Sequence, residues 1–136
     1  MGATSLYNGY GAPTSTVVSS TTLFNFSGAY FSPLTNGNSS STYGAAALTV
    51  TGYLGGTGGT FQGTKSITMT PGPLTWTQID LNNVDTLVFT ATANSGGFRH
   101  FLMDNFTTTP TPIPASVLLL CSGILGLVGF RRLKKR

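Results

Sequence analysis

The sequence predicts an all-β protein: an antiparallel, jelly-roll-like β-sandwich followed by a short linker and one C-terminal transmembrane helix. Three observations lead to this prediction. Short runs of β-branched and aromatic residues alternate with a period of two. Clusters rich in Gly, Pro, Asn and Asp separate these runs at intervals of roughly ten residues, as in sandwich domains. Residues 113–130 form an uncharged apolar segment, and a basic cluster follows it.

The predicted strands have one apolar face and one hydroxyl-rich face. In the strand predicted at residues 47–54, Leu48 and Val50 alternate with Thr49 and Thr51. Further strands are predicted at residues 23–31, 65–70, 76–81, 86–93 and 98–106, with turns at residues 33–41, 55–60, 71–73, 82–85 and 94–97. A sheet with one solvated face accounts for the abundance of Thr and Ser, which make up 36 of the 136 residues.

The chain divides into three predicted parts: a β-sandwich domain at residues 1–106, a stiff Thr/Pro linker at 107–112, and a tail at 112–136. Composition argues against an enzyme, because only 7% of residues are charged and the chain has one His, one Cys, and three Asp without any Glu. A single Cys excludes a disulfide within the chain. No cofactor is predicted. A cleft uniting Asp80, Asp104 and His100 is the arrangement that would favour a hydrolase.

The positive charge of the chain is confined to its end. The net charge is +4, but residues 131–136 contribute +5, and the remaining Lys65 and Arg99 are outnumbered by three Asp. A nucleic-acid-binding protein needs cations spread over a face that can follow phosphates. The sequence therefore predicts no nucleic-acid partner.

Residues 113–130 predict a transmembrane helix. A helix of 18 residues spans roughly 27 Å, close to the ~30 Å hydrocarbon core. The prolines at 112 and 114 mark its start, where a missing N–H is tolerated. The basic cluster would remain cytoplasmic, so the preceding residues would lie outside. The alternative is a buried hairpin helix of a soluble domain, which would show a polar face.

The tail resembles the PEP-CTERM sorting signal of Gram-negative bacteria, in its Val-Pro-Leu-Pro-Ala-type variant. The proline motif consists of Pro112, Ile113, Pro114 and Ala115. The cytoplasmic basic anchor consists of Arg131, Arg132, Lys134, Lys135 and Arg136. Between them, residues 121–127 (CSGILGL) are similar to the GSGLLGL run of this family.

This resemblance implies a route to the cell surface. The precursor would span the inner membrane once and be processed near the proline motif by an exosortase. The product would reach the cell surface or the extracellular matrix and associate with exopolysaccharide, as in a biofilm. Family members carry a signal peptide, and residues 1–7 show none. We therefore expect that the chain begins downstream of its natural start or that a signal peptide has been removed.

The rest of the chain resembles, more loosely, the extracellular domains that often precede such a tail. The matching segments are residues 24–31, 48–53, 76–81, 84–89 and 101–106. This similarity implies a jelly-roll-like sandwich without established catalytic residues.

Two features are candidate binding sites. Sugars stack on exposed aromatic rings, and Tyr30, Tyr43, Tyr53 and Trp76 form the aromatic set from which Trp76 and Tyr53 are the predicted glycan contacts. The alternative for Trp76 is a place in the core. Asp104, followed by Asn105, is a candidate Ca²⁺ ligand; the alternative is that this pair bonds a neighbouring loop and ends a strand. The glycine-rich residues 55–60 lack the Lys of a phosphate-binding loop and predict a hairpin loop.

Taken together, the sequence predicts an exported, exosortase-processed surface or extracellular-matrix protein. Its expected role is structural or adhesive and linked to exopolysaccharide. The alternative is a carbohydrate-binding module that recognises a defined glycan.

Overall fold

The computed structural model describes residues 6–8, 15–34 and 43–111, together with 119 and 122. The described residues form six strands: β1 (Leu6–Tyr7), β2 (Ser15–Pro33), β3 (Ala47–Leu54), β4 (Thr60–Thr68), β5 (Thr75–Thr92) and β6 (Phe101–Pro110). Antiparallel ladders join them into one sheet in the order β1-β6-β2-β5-β3-β4. The prediction of an all-β, antiparallel fold is confirmed. The division into two facing jelly-roll sheets stays a prediction.

The predicted processing motif, transmembrane helix and basic anchor lie outside the described residues, apart from two positions. Leu119 and Ser122 are helical, and the Ser122 hydroxyl donates a hydrogen bond of 2.9 Å to the carbonyl oxygen of Leu119. Across the described residues, no helix is long and apolar enough to cross a membrane.

One long strand, β5, replaces two predicted strands and the turn predicted at residues 82–85. Asp80 and Asn83 adopt positive φ values of 57° and 54°, which interrupt the regular alternation without ending the strand. The ladder to β2 continues across the interruption, since Leu81 pairs with Phe26 and Val84 pairs with Phe24. Asn and Asp tolerate positive φ both in turns and in β-bulges, so the sequence of a bulge resembles that of a turn.

Strand β6 begins three residues later than the strand predicted at residues 98–106 and ends four residues later. It continues through residues 107–110, which pair with β2; Thr109, for example, lies opposite Asn25. These four residues of the predicted linker therefore belong to the sheet. The sequence does not separate the two cases because Thr and Pro favour extended backbone both in linkers and at strand ends.

The core lies against one face of the sheet. Phe26 and Leu48 are completely buried, and Phe89 is almost so. Phe26 meets Phe89 edge to face, with ring centroids 6.2 Å apart, and stacks on Phe106 at 4.6 Å. In β3 the buried and half-buried positions alternate as the sequence predicts. On the other face the hydroxyls of Thr51 and Thr64 are 3.2 Å apart, so the predicted hydroxyl-rich face is confirmed in this strand pair.

A carboxylate holds the glycine-rich loop between β3 and β4. Both oxygens of Asp85, in β5, accept hydrogen bonds from this loop: Oδ2 from the Gly55 N–H at 2.6 Å and Oδ1 from the Gly56 N–H at 3.1 Å. These two bonds, followed by one from the Thr86 hydroxyl, hold the pKa of Asp85 below its ordinary value of 3.8. The predicted hairpin loop is thus present, with one end anchored by β5.

Candidate functional site

Three side chains with binding chemistry lie in one row across the sheet. Trp76 in β5 is directly opposite Tyr30 in β2, and Tyr30 is directly opposite Asp104 in β6. Residues that face each other in antiparallel strands project from the same side of the sheet. We call this set (Trp76, Tyr30 and Asp104) the aromatic–carboxylate row. It lies on the face opposite the core, because Phe31 and Met103, the neighbours of Tyr30 and Asp104 along the chain, are buried.

Trp76 is a surface residue and not part of the core. Its side chain is 39% exposed, and that of Tyr30 is 37% exposed. The two ring centroids are 5.4 Å apart and the ring planes meet at 66°. The alternative of a core position for Trp76 is therefore wrong. The alternation along β5 gives the reason, since Ile79 and Leu81 are buried and Trp76 has the opposite parity.

Gly28 provides the surface on which the indole of Trp76 lies. Gly28 lies two residues before Tyr30 in β2 and is opposite Gln78 in β5 and Thr107 in β6. A Cβ atom at Gly28 would lie 3.1 Å from Cζ2 of Trp76 and would clash with the carbonyl oxygen of Thr77. The absence of a side chain at this position therefore lets the indole approach the backbone of β2.

Asp104 owes its orientation to a β-bulge. Between the pairs Tyr30–Asp104 and Gly28–Thr107, β6 has one residue more than β2. Asn105 absorbs this residue in the left-handed region, with φ 54°. Asp104 consequently joins the outer row, and its Oδ1 accepts a 2.7 Å hydrogen bond from the N–H of Asn105. This bond restrains the carboxylate of Asp104.

Further polar groups border the row along β5. Gln78 and Asp80 are both exposed, and the Gln78 side-chain amide donates a 2.8 Å hydrogen bond to Oδ2 of Asp80. The surface therefore combines two aromatic rings with carboxylate and amide groups. Such a combination can hold a ligand that has both apolar C–H faces and hydroxyl groups.

The second predicted glycan contact, Tyr53, lies elsewhere on the sheet. It pairs with Thr86, ten residues beyond Trp76 along β5, and with Phe61 in β4. Tyr53 and Phe61 form a separate aromatic pair, with ring centroids 6.4 Å apart. The register thus places Tyr53 and Trp76 in different rows. Tyr43, another member of the predicted aromatic set, packs against Phe98, with ring centroids 4.9 Å apart.

The groups considered for catalysis or metal binding are engaged separately. The His100 ring nitrogen Nδ1 is 3.2 Å from the carbonyl oxygen of Asn8, whereas Asp80 bonds Gln78 and Asp104 bonds Asn105. In the part of the chain that the structure describes, no three His, Cys, Asp or Glu side chains are grouped so that they could hold a metal ion. A calcium ion at Asp104 stays a prediction.

No family model matches the chain, and no significant match is found among characterised proteins or solved structures. The resemblance of the tail to a sorting signal therefore stays a prediction based on its residues.

The sequence predicts Tyr30 as a member of the aromatic set but not as a glycan contact, and it predicts no role for Gly28. Tyr30 becomes significant only through its pairing with Trp76, and strand register cannot be read from one sequence. The available signal is the run Phe26-Ser27-Gly28-Ala29-Tyr30, in which a glycine interrupts an aromatic strand. An isolated glycine within a strand often marks a bulge or a close approach.

Proposed function

We propose that this chain is an exported protein of the cell surface or extracellular matrix, processed near its proline motif by an exosortase. Its role is structural or adhesive, without catalysis, and depends on association with exopolysaccharide. The observation that carries the proposal is the order of the proline motif, the apolar segment and the basic cluster along residues 112–136.

The end of the sheet fits such processing. Strand β6 ends at Pro110, two residues before the proline motif. Processing at or beyond the motif would therefore leave every described strand with the released domain. The precursor would meet the processing enzyme in the inner membrane, where the tail would hold it.

The hydroxyl-rich face supports an adhesive role. Thr49 lies opposite both Ser66 in β4 and Thr90 in β5, and Thr51 lies opposite Thr64. Rows of hydroxyl groups can donate and accept hydrogen bonds with polysaccharide hydroxyls or with bridging water. Because each such bond contributes little in water, association would depend on many contacts over an extended surface.

The jelly-roll-like sandwich is part of the same proposal. The irregular residues of β2 and β5 would bend the sheet into two layers around the core. In support, a Cβ at Gly63 in β4 would be 2.9 Å from Cδ2 of Leu81, although Leu81 itself pairs with Phe26 in β2. The side chain of Leu81, in the first half of β5, therefore lies over Gly63 of β4.

Fractionation of cells tests the proposed route. The full chain would be expressed behind a working signal peptide in an exopolysaccharide-producing host, with and without its exosortase. We expect the protein in the extracellular polysaccharide fraction in the first host and in the membrane fraction in the second. The same distribution in both hosts would contradict the proposal.

The alternative function, a carbohydrate-binding module, is favoured by one observation, the aromatic–carboxylate row. The two functions are compatible, since direct recognition of a glycan is one way to hold a protein in a polysaccharide matrix.

A further inference from the structure

We propose that the aromatic–carboxylate row is a binding site for a neutral polysaccharide built of pyranose rings. Trp76 and Tyr30 would stack on the sugar rings, and the carboxylate of Asp104 would accept hydrogen bonds from their hydroxyl groups. This inference rests on the proposed function, because it names the partner surface through which the domain would hold exopolysaccharide.

Both aromatic side chains of the row are accessible to a ligand. Trp76 and Tyr30 are more than a third exposed, side by side, on a face that the core does not use. Aromatic rings with a polar tip are suited to surfaces that bind, because they bury a large apolar area at low cost in side-chain entropy. The electron-rich face of such a ring attracts the slightly positive C–H groups on the face of a pyranose ring.

The shape and length of the row suit a short stretch of sugar chain. The ring planes meet at 66°, so Trp76 and Tyr30 form two walls of a corner. Gly28 beneath the indole and the cross-strand pairing with Tyr30 restrict the movement of Trp76. From β5 to β6 the row covers two strand spacings, about 9.6 Å, which is comparable to the span of a disaccharide. A restrained surface loses little conformational entropy when it binds.

Polar groups at both ends of the row can form hydrogen bonds with sugar hydroxyls. Asp104 stands at the β6 end of the row, and Gln78 and Asp80 border the β5 end. A carboxylate accepts hydrogen bonds from neutral hydroxyls, and such bonds to a charged group are stronger than bonds between neutral groups. Polar groups at both ends would therefore fix a sugar chain lengthwise across the strands.

The charge around the site selects a neutral ligand. Apart from the tail, the chain contains only two cations, Lys65 and Arg99. Lys65 lies in β4, at the opposite edge of the sheet from β6, and Arg99 precedes β6 outside the row. Because the row and its border contain the carboxylates Asp104 and Asp80, uronic-acid or sulfated polysaccharides would be repelled.

The test uses the fluorescence of Trp76, the only tryptophan of the chain. The full chain, in a detergent without a sugar headgroup, would be titrated with three neutral probes (cellohexaose, laminarihexaose and mannohexaose) and one anionic probe (hexaguluronate). We expect saturable quenching or a spectral shift with at least one neutral probe and no change with hexaguluronate. Absence of a change with all three neutral probes, or equal binding of hexaguluronate, would overturn the proposal.

Variants identify the site. Tyr30→Ala and Asp104→Asn should each weaken binding of the active probe by about tenfold, since stacking and charged hydrogen bonds contribute on this scale. Phe61→Ala is the matched control, because Phe61 is an exposed aromatic residue, 59% accessible, that pairs with Tyr53 and not with the row. Unchanged affinity in Tyr30→Ala, with circular dichroism matching the wild type, would contradict the site.

The titration and the cell fractionation fail independently. Purified protein that binds no neutral probe but reaches the polysaccharide fraction of the host would refute the site and leave the proposed route intact. Purified protein that binds the probe but stays in the same fraction with and without exosortase would refute the route and leave the site intact.

Discussion

Asp104 and Phe106 are two residues apart in β6, yet they lie on opposite faces of the sheet. Asp104 joins the outer row beside Tyr30, whereas Phe106 stacks on the completely buried Phe26 with ring planes 21° apart. In a regular strand, residues two apart share a face. The extra residue Asn105, with φ 54°, reverses the alternation, so that Asp104 faces the candidate site while Phe106 faces the core.

Substitutions at Asn105 should test this bulge. Asn105→Val should destabilise the fold by about 1–3 kcal/mol, because a β-branched residue tolerates positive φ poorly. Asn105→Gly should be nearly neutral, since glycine adopts this conformation readily. Urea unfolding of the full chain in detergent, followed by circular dichroism, measures both. Equal loss of stability in the two variants would show that backbone conformation is not what Asn105 provides.

Gly28→Ala should destabilise the protein and disturb the environment of Trp76. The added Cβ would clash with the carbonyl oxygen of Thr77 and crowd the indole, and overpacking of this kind costs about 1–3 kcal/mol. Gly72→Ala is a matched control, because its φ of 158° is nearly that of Gly28 at 157° but nothing lies within 4 Å of the added Cβ. Thermal unfolding and the Trp76 emission maximum are the measurements. Similar effects in both variants would contradict the close approach.

Phe26→Ala should be among the most destabilising single changes in the sheet. Phe26 is completely buried and touches both Phe89 and Phe106, so truncation leaves a cavity that costs about 3–5 kcal/mol. The same change at Phe61, which is 59% exposed, should alter stability by less than about 1 kcal/mol. Chemical unfolding compares the two. A small effect at Phe26 would show that the core is packed differently.

The loop held by Asp85 should loosen in acid. The lowered pKa of Asp85 means that its contribution to stability is fully present above pH 3.8 and is lost as the pH falls through its lower pKa in the folded state. The amide proton shifts of Gly55 and Gly56 should therefore titrate with a midpoint below 3.8. In Asp85→Asn this titration should vanish. A midpoint at or above the ordinary value would contradict the anchoring bonds.

Alternation in the sequence predicts much of the fold, because a half-buried sheet imposes a period of two on its residues. Leu48 and Val50 in β3, and Leu87 and Phe89 in β5, are buried as their pattern predicts. Where bulges occur, the same pattern misleads, since an extra residue resembles a break. This is why the continuous strand β5 is predicted as two strands.

The candidate site is less accessible to sequence reasoning. The alternation alone places Trp76 on the face opposite Ile79, but the size of tryptophan favours a core position when faces are assigned residue by residue. Its partner Tyr30 lies in β2, which is more than forty residues of sequence away from both β5 and β6. Only the register reveals that the three form one row, and the register depends on the shift between Phe26 and Gly28 and on the bulge at Asn105, which local patterns do not fix.

The mass of the mature protein tests sorting by the tail most directly. The chain would be expressed behind a signal peptide in an exosortase-bearing host, beside a variant carrying Pro112→Ala and Pro114→Ala. If an exosortase processes the tail, the native chain should lose the mass of the segment beyond its proline motif and the variant should retain it. An intact tail in both samples would instead indicate a permanent single-pass anchor and would contradict the proposed route to the cell surface.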